Sequence, residues 1–266
     1  MMNPMKREEQ AAIDKGQAFD FGKTAEAYAA YRDIYPAELY DRLRALGVAA
    51  DGTAWLDLGT GTGVLPKNLY SPKASITGVD ISPEQIAFAQ QEAADKGWDI
   101  RYLVSPAEST GLPDGSFDAI TAAQCFWYFD RERMRAEITR LLNPGGTFIK
   151  VYMTYTLDDP IAAESHRLVK SLNRNWSAGG SGLQDVHDDL FPGRQTESFY
   201  ADLPFTRESW HGRMCACRGT QASMEENTLN EWVAAHMRFL QSLPESFTVR
   251  HKVFYSWFTL QEALHG

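Results

Sequence analysis

The sequence predicts an α/β fold: a mostly parallel sheet with helices on both faces. Three observations carry that expectation. Strand-like apolar runs alternate with helix-periodic runs from residue 54 to residue 155, the pattern that buries a parallel sheet between helical layers. The first such run, Ala54-Trp55-Leu56-Asp57-Leu58, ends in Gly59-Thr60-Gly61-Thr62-Gly63 and passes straight into a helix-compatible stretch, Val64 to Tyr70. Glycines there let the backbone turn sharply and let a ligand approach the main chain. Finally, Phe247 to Leu260 alternates through Val249, His251, Val253 and Tyr255, as a closing strand does. At 266 residues, 44% hydrophobic and 23% charged, the chain suits one globular domain with an elaboration.

Taken in order, residues 1–20 read as a loose start followed by a short helix. Phe21, Tyr28, Tyr31, Arg32 and Tyr35-Pro36 form an aromatic and arginine cluster. Leu39, Leu43 and Leu46 recur at helical spacing, with Pro36 suited to the first turn and Gly47 to the end. Ser75 to Asp80 is the second strand. Ser82-Pro83-Glu84 supplies a cap and first turn for a helix running to about Lys96, before Gly97. Asp99 to Val104 is strand three, and Pro113-Asp114-Gly115 a turn into strand four, Ala119 to Cys125. Asp130 to Leu142 is a helix stopped by Asn143-Pro144-Gly145-Gly146, and Thr147 to Tyr155 is strand five. Beyond it come a helix over 160–175, a glycine-rich loop over 177–182, an acidic run at 185–189, a strand over 197–203 and a strong helix over 225–242. Residues 205–219 carry Trp210, Arg213, Cys215, Cys217 and Arg218 with no assigned element.

Composition excludes several functions. A net charge of -9 argues against a broad nucleic-acid surface. No apolar run is long enough to span a bilayer, and the polar N-terminus lacks a signal-peptide core. Cys125, Cys215 and Cys217 form neither a disulfide framework nor a zinc spacing, so no metal is expected. These features point to a cytoplasmic protein acting on neither nucleic acid nor membrane.

The glycine turn narrows the chemistry. A dinucleotide site needs G-x-G-x-x-G, and Val64 stands where its third glycine belongs. Asp80 lies about twenty residues past the turn, the distance at which a βαβ unit brings an acid to ribose hydroxyls. Aromatic residues Phe126-Trp127-Tyr128-Phe129 follow strand four, where the sheet edge opens.

The string Asp57-Leu58-Gly59-Thr60-Gly61-Thr62-Gly63 resembles the first motif of class I S-adenosylmethionine-dependent methyltransferases. The Pro113 to Asp118 phrase and Leu142-Asn143-Pro144-Gly145-Gly146 resemble that family too. The chain is similar to its type-11 members over residues 25–155, and more weakly to trans-aconitate-type small-acid O-methyltransferases. The resemblance implies a Rossmann-like seven-stranded sheet, mostly parallel with an antiparallel last strand, and a helical roof inserted after strand five. It implies one domain: a helical cover over 1–47, a cofactor-binding core over 48–155, roof elements over 156–245 and a closing strand over 246–266. It implies S-adenosyl-L-methionine as cofactor, held by Asp57, Gly59, Thr60, Gly61, Gly63, Asp80, Ile81, Ala107, Glu108, Gln124 and Arg32. Tyr28 and Trp127 would position the reactants. The substrate would meet Tyr28, Trp127, Tyr128, Trp210, Arg213 and Arg218.

The activated donor leaves the protein mainly a positioning task, worth on the order of 7–11 kcal/mol. Small-acid relatives often carry a histidine where Phe126 stands here. A carboxylate acceptor is already ionised and needs arginine rather than a base. Methyl transfer to a carboxylate or hydroxyl oxygen is therefore the first expectation. His187, His211 and His236 are the candidates if a base is used. C-methylation of a quinone-like ring and a non-catalytic cofactor-binding scaffold are the alternatives.

Overall fold

The computed structural model describes residues 34–173, 190–217, 219–220 and 224–261. The expected short N-terminal helix, the cluster with Tyr28 and Arg32, the loop at 177–182 and the acidic run at 185–189 lie outside the described residues.

Seven strands form one sheet: β1 Ala54–Leu58, β2 Ser75–Asp80, β3 Ile100–Val104, β4 Phe117–Ala123, β5 Leu142–Tyr155, β6 Gln195–Thr206 and β7 Ser246–Thr259. Their order is β3-β2-β1-β4-β5-β7-β6. Pairs β1/β2, β1/β4, β2/β3 and β4/β5 are parallel. The last strand runs against β5: the Gly145 N–H donates to the Leu260 carbonyl and the Leu260 N–H to the Gly146 carbonyl, each at 2.8 Å. The order reverses between β1 and β4, and in open α/β sheets ligands bind at the carboxyl ends of the strands flanking such a point.

The chain divides into two compact units. The first takes in residues 35–153, 190–199 and 253–261. Its helices are α1 Ala37–Ala45, α2 Val64–Asn68, α3 Pro83–Lys96 and α4 Arg131–Leu141. Sheet residues Leu56, Leu58, Val79, Ile120 and Phe148 join Met134, Ile138 and Leu141 of α4 in its core. Local chemistry sets the helix ends. The Ser82 hydroxyl accepts the Gln85 N–H at 3.3 Å, Pro83 fills the first turn, and Gly97 closes α3 in the left-handed region. Asp130 caps α4 through the Arg133 N–H at 3.2 Å.

The second unit takes in residues 154–173 and the described part of 200–252. It holds α5 Pro160–Leu172, α6 Arg207–Cys215 and α7 Glu226–Gln241, with Val169, Trp210, Met214, Trp232 and Leu240 buried. Strands β5, β6 and β7 each have residues in both units. Among the described residues no helix is long and apolar enough to cross a membrane.

Several boundaries differ from the sequence reading. Helix α6 was not anticipated. Its buried residues, Trp210, Gly212, Arg213 and Met214, include a glycine and an arginine, which mask the apolar period. A reciprocal cap fixes its start, with Thr206 and Ser209 each bonding the other's backbone. Strand β5 begins five residues early, at Leu142 rather than Thr147, because the Gly145-Gly146 backbone pairs with Leu260 instead of only stopping a helix. A Cβ on Gly146 would stand 3.0 Å from the Phe117 carbonyl, so this pairing needs glycine. Helix α2 is five residues long and stops at Asn68 rather than Tyr70.

Candidate active site

The glycine turn leaves the carboxyl end of β1 and is bound back to the end of β2. Gly59, Gly61 and Gly63 all adopt positive φ, at 64°, 58° and 78°, a region that L side chains enter only with strain. Space is also closed at all three, with the Tyr102 hydroxyl against Gly63. A Cβ on Gly61 would stand 2.7 Å from Gln85 Oε1, and one on Gly59 2.7 Å from Cys125 Sγ. The Thr60 N–H donates to the Val79 carbonyl at 2.9 Å, and the Gly61 N–H to Asp80 Oδ2 at 2.8 Å. The other Asp80 oxygen accepts the Ser82 N–H at 2.9 Å. Each carboxylate oxygen keeps acceptor capacity after these bonds, so Asp80 has room for two hydroxyl donors. Burial raises its pKa, against the opposing backbone N–H bonds.

Asp57 lies beneath the turn and is 2% exposed. The Trp55 indole N–H donates to Thr121 Oγ1 at 3.0 Å, and the Thr121 hydroxyl donates to Asp57 Oδ1 at 2.5 Å. Burial pushes Asp57 up to about 7, with the Thr121 and Thr60 hydroxyls pulling the other way. Asp57 thus orders the base of the turn. Thr62, 1% exposed, has a buried hydroxyl with no partner among the described residues.

The exit of β4 is the second wall. Gln124 is a non-glycine residue at φ 58°, which marks stored backbone strain. It is held there by its N–H on the Val151 carbonyl at 3.0 Å and its side-chain amide on the Met153 carbonyl at 2.6 Å. A single 3-10 turn, Phe126–Tyr128, follows. Phe126 is buried against Phe129 and Phe148. Trp127 stands edge-on to Tyr152 with ring centroids 5.5 Å apart, and Tyr128 lies 5.5 Å from Trp127. The Trp127 Nε1 is buried without a partner among the described residues, and an orphaned donor of that kind costs about 1–3 kcal/mol until something accepts from it.

Other predicted positions receive different surroundings. Ile81, directly after Asp80, is 70% exposed, a bare apolar side chain at a strand end. Ala107 is 6% exposed and packs in the core with Leu58 and Val79. Glu108 uses its carboxylate to accept the Asp130 N–H at 2.8 Å, tying the loop after β3 to the start of α4. Tyr28, Arg32 and Arg218 lie outside the described residues, as does His187.

Trp210 and Arg213 both fall in the second unit. Trp210 is fully buried, and its Nε1 donates to Ser165 Oγ at 2.9 Å. Ser165 has one proton, which goes to the Ile161 carbonyl at 2.8 Å. It therefore accepts from His236 Nε2, 3.0 Å away. His236 Nδ1 then accepts from His211 Nδ1 at 2.8 Å, and His211 Nε2 faces the Cys215 thiol at 3.5 Å. Burial, then His211, lowers His236 to about 3, and burial lowers His211 too. Both are neutral members of a closed hydrogen-bond chain.

Arg213 is 5% exposed, and among the described residues its one hydrogen bond runs from Nη1 to Cys217 Sγ at 3.2 Å. Removing an ion from water costs several kcal/mol even after relaxation. The carboxyl end of α6 returns only about 0.3–1 kcal/mol, at most ~2.

Sequence reasoning passed over the supports of the turn. Gln85, Cys125 and Tyr102 press against Gly61, Gly59 and Gly63 respectively. No short-range pattern points to them, because each comes from a different strand or helix. Among the described residues no group of three His, Cys, Asp or Glu side chains is placed to hold a metal.

Comparison with known proteins bears on the same region. Residues 56–150 match the family described as methyltransferase domain. The chain is 38% identical over 120 residues to demethylmenaquinone methyltransferase of Thermus thermophilus, covering 43% of this chain and 54% of that one. It is 35% identical over 152 residues to the Deinococcus radiodurans enzyme of the same name, covering 51% and 60%. The chain thus spans little more than half the length of these relatives. A solved structure from Anaeromyxobacter dehalogenans, provisionally assigned as a type II methyltransferase, superposes with a TM-score of 0.63 at 25% identity, over 86% of this chain and 98% of that one. Phosphoethanolamine N-methyltransferase 2 of Haemonchus contortus, solved with S-adenosylhomocysteine, shares the fold at 18% identity and a TM-score of 0.53, over 97% and 59%.

Proposed function

From a chain whose residues 56–150 form a class I S-adenosylmethionine-dependent methyltransferase domain, we propose that the protein transfers a methyl group from S-adenosylmethionine to a small-molecule acceptor, at a carboxylate or hydroxyl oxygen. The observation that carries the reading is the clasp between Gly61 and Asp80 at the β1/β4 reversal. It presents a carboxylate with spare acceptor capacity beside a backbone that carries no side chain of its own at Gly59, Gly61 and Gly63. The cofactor, when bound, supplies an electrophilic methyl group on a sulfonium.

The chain's own residues divide the remaining work. Asp80 accepts the ribose hydroxyls, and the exposed Ile81 offers an apolar surface for the base. The turn at Gly59, Thr60, Gly61 and Gly63 admits the donor to the main chain, over Asp57. The strained Gln124 holds the β4 exit in place, so that Trp127 and Tyr128 stand fixed. The Trp127 indole N–H, buried and unpartnered among the described residues, donates to an oxygen of the acceptor. No described histidine belongs to the first unit, which suits an acceptor that is ionised before it binds.

Isothermal titration with S-adenosylhomocysteine tests the first step. Micromolar binding is expected, weakened at least tenfold by Asp80→Ala, since a hydrogen bond to a charged group contributes about 1.5–3 kcal/mol. No binding by the native chain would overturn the reading. Unchanged affinity in the variant would remove Asp80 from it.

A second acceptor class has its own support. Two relatives are named demethylmenaquinone methyltransferases, and Trp127, Tyr152 and Phe254 cluster as an aromatic wall. Labelled methyl transfer separates the two: product on carboxylic acids favours the oxygen reading, product on a demethylated quinol favours carbon.

A further inference from the structure

We propose that the second unit holds a small organic carboxylate on Arg213, with His251 taking up its proton. Arg213 sits in the last turn of α6, 5% exposed. Of the five N–H groups on its guanidinium, the structure pairs one, on the Cys217 sulfur at 3.2 Å. Its Nε is buried with no partner among the described residues. No ion pair joins Arg213 to a described carboxylate, so no described acid compensates its charge. An arginine fork matches two carboxylate oxygens, and buried charges in proteins are paired.

His251 is an independent sign of the same missing group. It is 0% exposed. Its Nδ1 is paired with the Val249 carbonyl at 2.9 Å, and its Nε2 is buried with no partner among the described residues. With the proton on Nδ1, Nε2 is a lone pair facing no donor. The Arg213 charge reaches this ring: His251 is lowered to about 4, by burial first and Arg213 second. The one acid acting on it, Asp159, is already spent on the backbone N–H groups of Ile161, Ala162 and Arg250. The rings of Tyr155, Phe205 and Trp210 complete its surroundings. A carboxylic acid entering as RCOOH satisfies both residues. Its two oxygens pair with the Arg213 fork, and its proton moves to His251 Nε2. Binding then takes up the anion and one proton together. The site stands independently of the methyl-transfer reading.

The test uses the full chain with acetate and with benzoate, each against chloride at matched ionic strength. Titration calorimetry should show carboxylate binding that weakens about tenfold per pH unit above about 5, and melting should shift upward by several degrees with carboxylate alone. Arg213→Met keeps the volume and removes the charge. It should abolish both responses, and without carboxylate it should melt no lower than the native chain. Arg213→Lys keeps the charge but not the fork, and should bind at least tenfold more weakly, which serves if the methionine variant does not fold. A native chain with no carboxylate response, or a variant that responds as the native chain does, overturns the site. Titration with S-adenosylhomocysteine is run separately, so a failed methyl-transfer reading leaves the carboxylate result intact. Adding S-adenosylmethionine distinguishes the source of the acid. Ester formation marks it as the acceptor, and a bound but unmethylated acid marks it as a retained ligand. Both outcomes support the site.

Discussion

The two units bury titratable groups of opposite kind, and they handle the cost differently. In the first unit Asp57 is 2% exposed and rises from an ordinary 3.8 to about 7. A carboxyl can shed its charge by taking a proton, and Thr121 satisfies it either way. In the second unit His236 and His251 are fully buried and fall to about 3 and about 4. They shed charge by losing a proton. Arg213, equally buried, has no such escape, because a guanidinium keeps its charge throughout the physiological range. The lesson is that burial is cheap for groups that can titrate and costly for one that cannot. A buried arginine without an acid is therefore a stronger sign of a missing ligand than a buried aspartate with a hydroxyl.

The contrast makes the units respond to pH in opposite senses. For Asp57 the folded pKa lies above the unfolded one. Folding takes up a proton between about 4 and 7, so this contribution is full at low pH and is lost as pH rises through 7. Three units correspond to roughly 4 kcal/mol. Asp57→Asn should remove that loss, with urea unfolding across pH 4 to 8 as the measurement. A variant whose stability still falls over that range by the native amount would show that Asp57 is ionised in the folded chain. His251 runs the other way. Its folded pKa is below its unfolded 6.5, so stability is present above 6.5 and lost as pH falls toward 4, by roughly 3 kcal/mol. His251→Gln should flatten the acid limb and leave the neutral limb unchanged, and an acid limb as steep as before would assign it to other groups. The smallest effect belongs to Ser165→Ala. It strands the Trp210 and His236 N–H donors together, at about 2 kcal/mol with no pH dependence above 6. Thermal unfolding reads it, and a neutral result would mean that the hydrogen-bond chain is not closed as drawn.

Much of the first unit was legible in the sequence. Strands β1 to β4 and helices α1, α3 and α4 fall within a few residues of expectation, because each is fixed by its own period and caps. The glycine turn was legible for the same reason, since a left-handed backbone at three alternate positions admits little but glycine. Spacing alone places Asp80 near the turn, and its bond to Gly61 shows why: one βαβ unit brings the two strand ends side by side. Glu108, expected at the cofactor, has one carboxylate oxygen on the Asp130 N–H. Spacing locates a residue on a loop but does not choose its hydrogen-bond partner.

The second unit was much less legible. Helix α6 has no clean apolar face, because its inward positions include Gly212 and Arg213. The chain Trp210, Ser165, His236, His211 and Cys215 joins three helices far apart in sequence. By itself the sequence determined what depends on neighbours along the chain: the alternation of strands and helices, the caps, and the backbone freedom of the turn at Gly59 to Gly63. Only the tertiary structure decided which polar groups are satisfied. It closed the histidine chain, gave Asp57 its hydroxyl, and left Arg213 Nε and His251 Nε2 without partners among the described residues. The physical reason is that desolvation is set by everything packed around a group, and no local pattern in a sequence carries that sum.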